Sequence, residues 1–556
     1  MYGFSIIQNG KGLNCSSRII TDGHIICENH MISKFEEDKI FFQNSNYIVI
    51  LDGVIFNKRV LQGSNSWVDT IISLYENKGN LFFNDFRGSF AGALYDKTLS
   101  KWIIFTDHLG TKFIYYSYVN GIFLCSLMMD NMYKLLRNNN IEYKLDLAGA
   151  YMQLSYGFML EDYTLCNEIK KIQPGDYIIL QDNILSICPY FRLKNSENLN
   201  LTEQAIIDKI EDLFTAAVRR QFEKDKEYGY KHIVALSGGL DCRMTSFVAH
   251  NIGFVNQLNC TFSQSGYLDE TVAQEMASYL KHEWLFKALD NGLWLYDVDE
   301  INSITGGNVL FYSLAHGNSL VKYINFERLG LVHTGQLGDV TIATQSSKEK
   351  KYHFGDGAYS KKICDEFSFT PSTQDLDEEI GLYYYRYLNG TNNGIQYLYN
   401  YTESFSPFYD LEFLKFALSI PNKYRKDHYI YKKWIMQKHR EAGNFVWESS
   451  GARINSFHIK INGRSQPPKK IFRRGLQKIR IIPDDFNSKH NMNPIAYYLR
   501  NNEDLFSYLM SYYSYLDTIK DESLKDLLLK IREKGDTMEK IQAVTLLGAI
   551  KLYHLS

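Results

Sequence analysis

The chain has 556 residues, a length that predicts two or more domains. Hydrophobic residues make up 45% and charged residues 22%, as is ordinary for a globular protein. The formal net charge is −2, so the overall charge gives no indication of a nucleic-acid or membrane partner.

The beginning of the chain, Met-Tyr-Gly-Phe-Ser-Ile-Ile, lacks the basic stretch and long apolar core of a signal peptide. No apolar run approaches the roughly 20 residues of a membrane-spanning helix. The eight cysteines are scattered, without Cys-x-x-Cys spacing or clustering with histidine, which argues against a disulfide framework and a structural zinc site. We therefore expect a cytoplasmic protein without a membrane span.

The first part of the chain, residues 1–190, predicts a strand-rich domain. Short apolar runs separated by turn signals such as Asp52-Gly53 and Asn120-Gly121 are typical of strands. The clearest of these runs are residues 47–51, 89–95, 102–105 and 121–125. A polar stretch follows, and we predict a linker over residues 191–202.

The remainder, residues 203–556, predicts an α/β domain. Thr202 has the character of an N-cap for a helix in which Ile206, Ile210 and Phe214 recur at helical spacing. Strands and helices then alternate, with strands at 232–236, 257–262 and 330–333 and helices from 241 and over 269–281. This alternation predicts a doubly wound parallel sheet, whose ligands bind at the carboxyl ends of the strands. We interpret residues 345–372 as an insertion loop and expect mostly helix after residue 375.

One short motif indicates chemistry. Residues 237–241 read Ser-Gly-Gly-Leu-Asp directly after an apolar run, which predicts a strand, a glycine turn and the start of a helix. Outward-pointing amides and the helix dipole at such a turn suit a polyphosphate, and Asp241 is placed to hold the accompanying Mg²⁺. The lysine of the Walker loop is missing, which favours cleavage between the α- and β-phosphates and release of pyrophosphate. An ordinary strand–turn–helix corner is the alternative.

The Ser-Gly-Gly-x-Asp string resembles the pyrophosphate-binding loop of ATP pyrophosphatases, which include asparagine synthetase. Further motifs of glutamine-hydrolysing asparagine synthetase are matched in the family's order at residues 85–96, 107–112, 334–339 and 403–410. This resemblance covers most of the chain. It implies an N-terminal Ntn-type glutaminase-like α+β sandwich, followed by a doubly wound parallel-sheet ATP-pyrophosphatase domain with a helical C-terminal part.

The first domain departs from the family at its catalytic positions. Tyr2 stands where the family has its nucleophilic cysteine, and a phenol with a pKa near 10 is a poor nucleophile. Asp52 stands for the oxyanion-hole asparagine, and its negative charge would oppose a developing oxyanion. We therefore predict an inactive glutaminase domain, as in the relatives without this cysteine: β-lactam synthetase, lasso-peptide cyclases and asparagine-synthetase-like proteins of polysaccharide loci.

The resemblance also implies which residues form the nucleotide site. Asp241 and Asp339 would be the Mg²⁺ ligands, with a helix N-cap as the alternative for Asp339. The residues that the resemblance places against ATP are Leu236, Ser237, Gly238, Gly239, Asp241, Cys242, Thr261, Phe262, Thr334 and Gly335. Cys242 is interpreted as a space-filling residue or, alternatively, a catalytic thiol. Arg243 would hold a phosphate or an acidic substrate, or be an exposed helix charge.

The residues of the second catalytic step are less regular. Gln336 replaces the Glu of asparagine synthetase and the Tyr of β-lactam synthetase, and an amide cannot accept a proton. Glu403 is a candidate base, with a structural ion pair as its alternative role. Asn455 replaces the family's transition-state lysine, so Arg453 or Lys460 is the candidate to supply that charge.

Several other features have weaker functional interpretations. His333, His316 and the turn at 306–308 are placed where substrate should approach, although a lone histidine is more often structural. The basic run over 460–480 is interpreted as a solvated loop leading into a helix, or as a contact for an anionic substrate.

These expectations converge on an AMP- and pyrophosphate-forming amide ligase that uses ATP and Mg²⁺. Its substrates would be a small-molecule carboxylate and either ammonia or a small amine, and we expect no nucleic-acid partner. The sequence leaves open whether the protein forms a homodimer. A peptide macrolactam cyclase and a non-catalytic nucleotide- or partner-binding protein are the alternatives.

Overall fold

The computed structural model describes residues 2–16, 18–195, 200–344, 346, 350–367, 369, 376–457, 459–461, 464–479, 481 and 491–556. Two architectures follow one another along the chain. The first is built from two six-stranded antiparallel sheets, and the second from a five-stranded parallel sheet with helices around it. Among the described helices, none combines the length and apolar character that crossing a membrane requires.

The first part contains twelve strands and four α-helices. The strands are β1 (Phe4–Gln8), β2 (Ile19–Asp22), β3 (Ile25–Asn29), β4 (Ile40–Gln43), β5 (Tyr47–Ile55), β6 (Gly88–Asp96), β7 (Lys101–Thr106), β8 (Tyr115–Val119), β9 (Ile122–Ser126), β10 (Lys170–Lys171), β11 (Asp176–Gln181) and β12 (Ile184–Pro189). The helices are α1 (Lys58–Gln62), α2 (Trp67–Lys78), α3 (Met129–Asn138) and α4 (Leu147–Tyr156).

These elements form the predicted α+β sandwich. One sheet has the order β10-β8-β9-β1-β3-β2 and the other β12-β11-β7-β6-β5-β4. Apolar side chains of both sheets meet in one core cluster, which includes Ile6 and Ile50, because alternate residues of a strand face opposite sides. Trp67 and Ile71 of α2 cover the outer face of the second sheet.

The second part begins with α5 (Glu203–Glu227), which starts at the predicted cap: the Thr202 hydroxyl accepts from the amide of Ala205. The parallel strands are β13 (Lys231–Ala235), β14 (Gln257–Ser263), β15 (Glu283–Ala288), β16 (Leu329–His333) and β17 (Ser404–Phe405), in the order β15-β14-β13-β16-β17. The helices between them are α6 (Asp241–Asn251), α7 (Leu268–Leu280), α8 (Val298–Thr305), α9 (Tyr312–Val321), α10 (Gly338–Thr341), α11 (Lys361–Glu366) and α12 (Glu378–Leu382). The predicted doubly wound sheet is present.

Helices dominate the described residues beyond β17. They are α13 (Leu411–Ser419), α14 (Asn422–Arg425), α15 (Tyr429–Lys438), α16 (Pro468–Lys478), α17 (Ile495–Asn501), α18 (Glu503–Ser511), α19 (Glu522–Lys534) and α20 (Thr537–Tyr553). Two small hairpins interrupt them, β18 (Val446–Trp447) with β19 (Ala452–Arg453) and β20 (Ile459–Ile461) with β21 (Arg464–Gln466). The basic run 460–480 therefore contains a hairpin before its helix, where the sequence predicts a loop. The predicted insertion loop 345–372 contains the short helix α11 within its described part.

The two parts share one apolar core. The ring of Tyr553, at the end of α20, stacks on Tyr133 of α3 with the ring centroids 3.8 Å apart. Phe158, just after α4, forms a β-bridge with Val309 before α9. The C-terminal helix and the sandwich therefore position each other.

A cluster of four buried charges also joins the two parts. This charge cluster consists of Lys39, Asp52, Lys112 and Glu403, all at most 4% exposed at their side chains. The Lys112 ammonium lies 2.7 Å from Asp52 and 2.9 Å from Glu403, and the Lys39 ammonium lies 3.3 Å and 3.1 Å from the same two carboxylates. Burial by itself would raise the pKa of Asp52, but the two lysines lower it below its usual range.

Replacement of Lys112 by Met should destabilise the protein strongly. The variant leaves two buried carboxylates with a single compensating ammonium, and breaking a buried ion pair costs about 3–5 kcal/mol. Chemical denaturation would measure this loss in the free energy of unfolding. Lys78→Met, which removes the exposed pair with Asp85, is the matched control and should cost at most about 1 kcal/mol. Because the pKa of Asp52 is lowered, its contribution is present at neutral pH and is lost as the pH falls from about 4 through that lowered pKa. Equal losses in the two variants would contradict the role given to the charge cluster.

Candidate active site

A cavity of about 520 Å³ opens at the carboxyl ends of β13, β14 and β16, a size within the range of small-molecule sites. Nine of the ten residues predicted to contact ATP line it, together with Gln336. Those nine are Leu236, Ser237, Gly239, Asp241, Cys242, Thr261, Phe262, Thr334 and Gly335. The fold therefore brings the motif residues of three separate strand ends to one place.

Gly238 is the exception, and its contacts correct the expected amide cradle. Its amide donates to Asp269 Oδ1 at 2.8 Å. The amide of Ser237 donates to the sulfur of Cys242 at 3.1 Å, and that of Gly239 to the Ser237 hydroxyl at 3.2 Å. Three amides of the turn are thus used within the protein and do not point outward together as predicted.

The N-terminus of α6 offers the better anion site. No described side chain caps this helix, so the first-turn amides, which have no carbonyl partner inside a helix, stay available. Gly335 packs directly on this end, where a Cβ atom would lie 2.2 Å from the amide nitrogen of Cys242. An uncapped helix N-terminus beside a cavity suits a phosphate group.

Two carboxylates meet at the same end of α6. Asp241 Oδ2 accepts from the amide of Asp339 at 3.0 Å, and Oδ1 accepts from the Tyr431 hydroxyl at 2.9 Å. Desolvation, with the Asp339 carboxylate adding to it, raises the pKa of Asp241 to about 8. A divalent cation would relieve this repulsion, and paired carboxylates are the ligands that Mg²⁺ accepts. The N-cap alternative for Asp339 is wrong, since Leu337 occupies the N-cap of α10.

Cys242 and Arg243 have structural roles. Burial raises the pKa of the Cys242 thiol to about 11, so it stays protonated at neutral pH and fills space beside Ser237. Arg243 is fully buried, and its guanidinium donates to the carbonyls of Gly238, Ala442 and Val446 at 2.9, 3.0 and 2.6 Å. Desolvation lowers the pKa of Arg243 to about 10. Both the exposed helix charge and the phosphate contact are therefore wrong for Arg243.

Glu403 and Arg453, two of the predicted catalytic residues, do not reach the cavity. Glu403 belongs to the charge cluster, so its alternative role as an ion-pair partner is confirmed and its role as base is not supported by position. Arg453 is exposed on β19 and does not line the cavity. The side chain of Lys460 lies outside the described residues.

Gln336 lines the cavity, and its side-chain carbonyl accepts from the Tyr409 hydroxyl at 3.0 Å. His316 lies in the cavity wall, where burial lowers its pKa to about 4 and keeps the ring neutral. His333 is instead a core residue, 2.7 Å from Asp225 and stacked on Phe222. In the turn 306–308, the Asn308 side chain accepts from the amide of Leu165 inside the protein.

Arg386 and Tyr359 also line the cavity, although no sequence motif indicates them. The Arg386 guanidinium donates to the carbonyl of Gly357, and its central carbon lies 5.7 Å from the centre of the Tyr359 ring. Within the described ranges no carboxylate lies at ion-pair distance from Arg386. Its position depends on how the chain folds between β16 and β17, which periodicity does not reveal.

Parts of this chain are similar to known proteins. A glutamine amidotransferase domain model matches residues 36–191. Asparagine synthetase [glutamine-hydrolyzing] 1 of Bacillus subtilis is 23% identical over 273 residues, which cover 47% of this chain and 42% of that protein. Asparagine synthetase B [glutamine-hydrolyzing] of Escherichia coli is 24% identical over 220 residues, which cover 38% of this chain and 33% of that protein. The chain is asparagine synthetase-like.

The matched stretches cover less than half of each of these asparagine synthetases. Among solved structures, a glutamine phosphoribosylpyrophosphate amidotransferase from B. subtilis, complexed with ADP and GMP, is similar with a TM-score of 0.24 and 8% identity. That similarity covers 52% of this asparagine synthetase-like chain and 85% of the solved chain.

Replacement of Arg243 by Lys should weaken the contact between α6 and the segment 442–447. A lysine keeps the charge but cannot span three carbonyls, and each buried carbonyl left without a donor costs about 1–3 kcal/mol. We expect a lower melting temperature and faster hydrogen exchange in residues 442–447. Arg59→Lys, at a 74% exposed side chain, is the control and should change neither measurement. Unchanged hydrogen exchange in the Arg243 variant would contradict the role given to its hydrogen bonds with these carbonyls.

Proposed function

We propose that this protein is an ATP-dependent amide-bond ligase of asparagine synthetase type that forms AMP and pyrophosphate. The observation that carries the proposal is the meeting of the uncapped α6 N-terminus with the Asp241–Asp339 pair, of which Asp241 lines the cavity. The helix N-terminus suits a phosphate group, and the pair of carboxylates suits the metal ion that accompanies it. Similarity to asparagine synthetases supports the ligase class.

In the proposed reaction, a substrate carboxylate is joined to AMP and then to nitrogen. The first-turn amides of α6 and the Ser237 hydroxyl bind phosphate oxygens, while Asp241 and Asp339 hold Mg²⁺. When bound, Mg²⁺ supplies charge neutralisation to the phosphates. Positioning and electrostatic stabilisation then supply most of the rate enhancement, as is general for phosphoryl chemistry.

Ammonia or a small amine is the proposed nitrogen source. Tyr2 is 4% exposed, and burial raises the pKa of its phenol further above 10, so it cannot serve as a nucleophile at neutral pH. The Asp52 carboxylate forms ion pairs with Lys39 and Lys112 of the charge cluster, so it does not offer a donor to an oxyanion. Because Gln336 cannot accept a proton and His316 is a weak base, we infer that the nitrogen nucleophile enters uncharged.

A non-catalytic nucleotide-binding protein is the second candidate. The specific observation that favours it is the position of Glu403 and Arg453 outside the cavity. On this alternative the acid pair and α6 would still bind MgATP, but no pyrophosphate would be released.

Pyrophosphate release from ATP and Mg²⁺ with a panel of carboxylic acids distinguishes the two candidates. We expect release that depends on the acid and amide formation that depends on ammonium, because the buried phenol of Tyr2 stands where the family has its nucleophilic cysteine. Glutamine as sole nitrogen source should give no product. Asp241→Asn should abolish release while leaving thermal unfolding close to that of the parent. Nucleotide binding without release would favour the second candidate, and activity with glutamine would contradict the inactive first domain.

Arg386 is proposed to bind an anionic group of the carboxylate substrate, since it lines the cavity and has no carboxylate at ion-pair distance among the described residues. Arg386→Met should raise KM for the acid by about 10- to 100-fold, the equivalent of a charged hydrogen bond of about 1.5–3 kcal/mol. The KM for ATP should change little. Arg386→Lys should restore part of the affinity, because it restores the charge but not the planar fork. An unchanged KM for the acid in both variants would remove Arg386 from substrate binding.

A further inference from the structure

Three ligand-type side chains meet far from the cavity, on the edge of the sandwich. Cys15 lies in the segment between β1 and β2, Glu28 lies in β3, and His30 follows that strand directly. One ligand atom from each, the sulfur, a carboxylate oxygen and a ring nitrogen, lies within 4.8 Å of the others. Glu28 and His30 are two positions apart, so both side chains leave the strand on the same face.

Two polar atoms of this group have no hydrogen-bond partner among the described residues. Glu28 is fully buried, and its Oε1 accepts from the Asn14 amide at 2.7 Å. Glu28 Oε2 and His30 Nε2 are buried and have no hydrogen-bond partner among the described residues. They face each other at 3.8 Å, which is too far for a hydrogen bond. A buried carboxylate oxygen without a donor or cation is costly, so this pair needs a further group.

We propose that Cys15, Glu28 and His30 form a Zn²⁺ site. A thiolate, an imidazole and a carboxylate are the three ligand types that zinc takes in proteins, at about 2.0–2.3 Å. Ligand atoms around a tetrahedral zinc lie about 3.5 Å apart, so the Glu28–His30 spacing of 3.8 Å already fits. The Cys15 sulfur lies within 4.8 Å of the other two ligand atoms, and Cys15 is an exposed residue, so its side chain has room to approach the ion.

The types of ligand also determine which ion would bind and what is released when it binds. Sulfur and nitrogen ligands disfavour Mg²⁺ and Ca²⁺, which prefer oxygen only. On binding, the Cys15 thiol releases its proton to solvent and the fourth position stays open to water. The site is therefore distinct in chemistry from the Asp241–Asp339 pair.

A bound ion would fix the segment between β1 and β2 onto β3. The segment already approaches closely: at Gly12 an added Cβ would lie 2.7 Å from Glu28 Oε1. Asn14, which donates to Glu28, has a positive φ of 55°. Asparagine adopts this conformation more readily than most residues, so Asn14 suits the turn that directs its amide at the carboxylate.

The sequence spacing gives no sign of this site. Cys15 is 13 residues before Glu28 and 15 before His30, and the intervening hairpin of β2 and β3 brings them together. The expectation that the cysteines do not cluster with histidine holds along the chain but not in space.

The experiment uses the full chain, dialysed against Zn²⁺ in the presence of excess Mg²⁺, which occupies carboxylate-only sites. We expect about one zinc per chain by elemental analysis and a melting temperature that rises with added Zn²⁺. With Co²⁺ in place of zinc, a sulfur-to-metal charge-transfer absorption should appear. Cys15→Ser should abolish that absorption and the thermal shift, while Cys188→Ser, at a half-buried thiol elsewhere, should keep both.

His30→Gln provides a second variant whose folding can be checked without metal, and it should also lose the bound zinc. No retained zinc in the parent protein, or retention unchanged in Cys15→Ser, would overturn the proposal. Zinc retained by Asp241→Asn as well as by the parent would support the assignment to this site and exclude the acid pair.

Discussion

The close approach between the N-terminus of α6 and the turn after β16 is the constraint on which the candidate active site depends. Gly335 and Gly338 sit where a Cβ atom would lie 2.2 Å from the Cys242 amide and 2.4 Å from the Asp241 carboxyl carbon. Any larger residue would push the two strand ends apart. The contact brings two acids and an uncapped helix N-terminus together, so the proposed phosphate and metal sites would depend on the same packing.

The charge cluster gives Asp52 a structural role in the sandwich. Considered by itself, the negative charge of Asp52 would be unfavourable in a buried position or beside a developing oxyanion. In the structure two buried lysines neutralise it, and Glu403 from the edge of the parallel sheet completes the group. The charge cluster is thus a buried link between the two parts of the chain. Such a network holds a specific arrangement, because removal of any member leaves an uncompensated charge.

The sequence allowed the local elements to be predicted far better than the long-range contacts. The cap at Thr202, the strand before Ser237 and the helix from Asp241 each follow from neighbouring residues, and all are present. The ion pairs of Glu403 and most carbonyl contacts of Arg243 involve partners more than a hundred residues away. Motif position therefore left two roles open for Glu403, of which the ion pair is present, and gave Arg243 roles that the structure contradicts. Arg386 could not be predicted at all, since its place in the cavity wall is set only by tertiary packing.

The sandwich still contributes to the candidate active site without chemistry of its own. Gly157 and Phe158, directly after α4, form part of the cavity wall opposite the motif turn. Phe158 also pairs with Val309, which leads into the helix that carries His316. Deleting the first domain would therefore open the cavity to water and expose the apolar face of α9. Since desolvation strengthens the electrostatic contacts on which phosphate chemistry depends, the sandwich has a physical role at the candidate active site whether or not it has chemistry of its own.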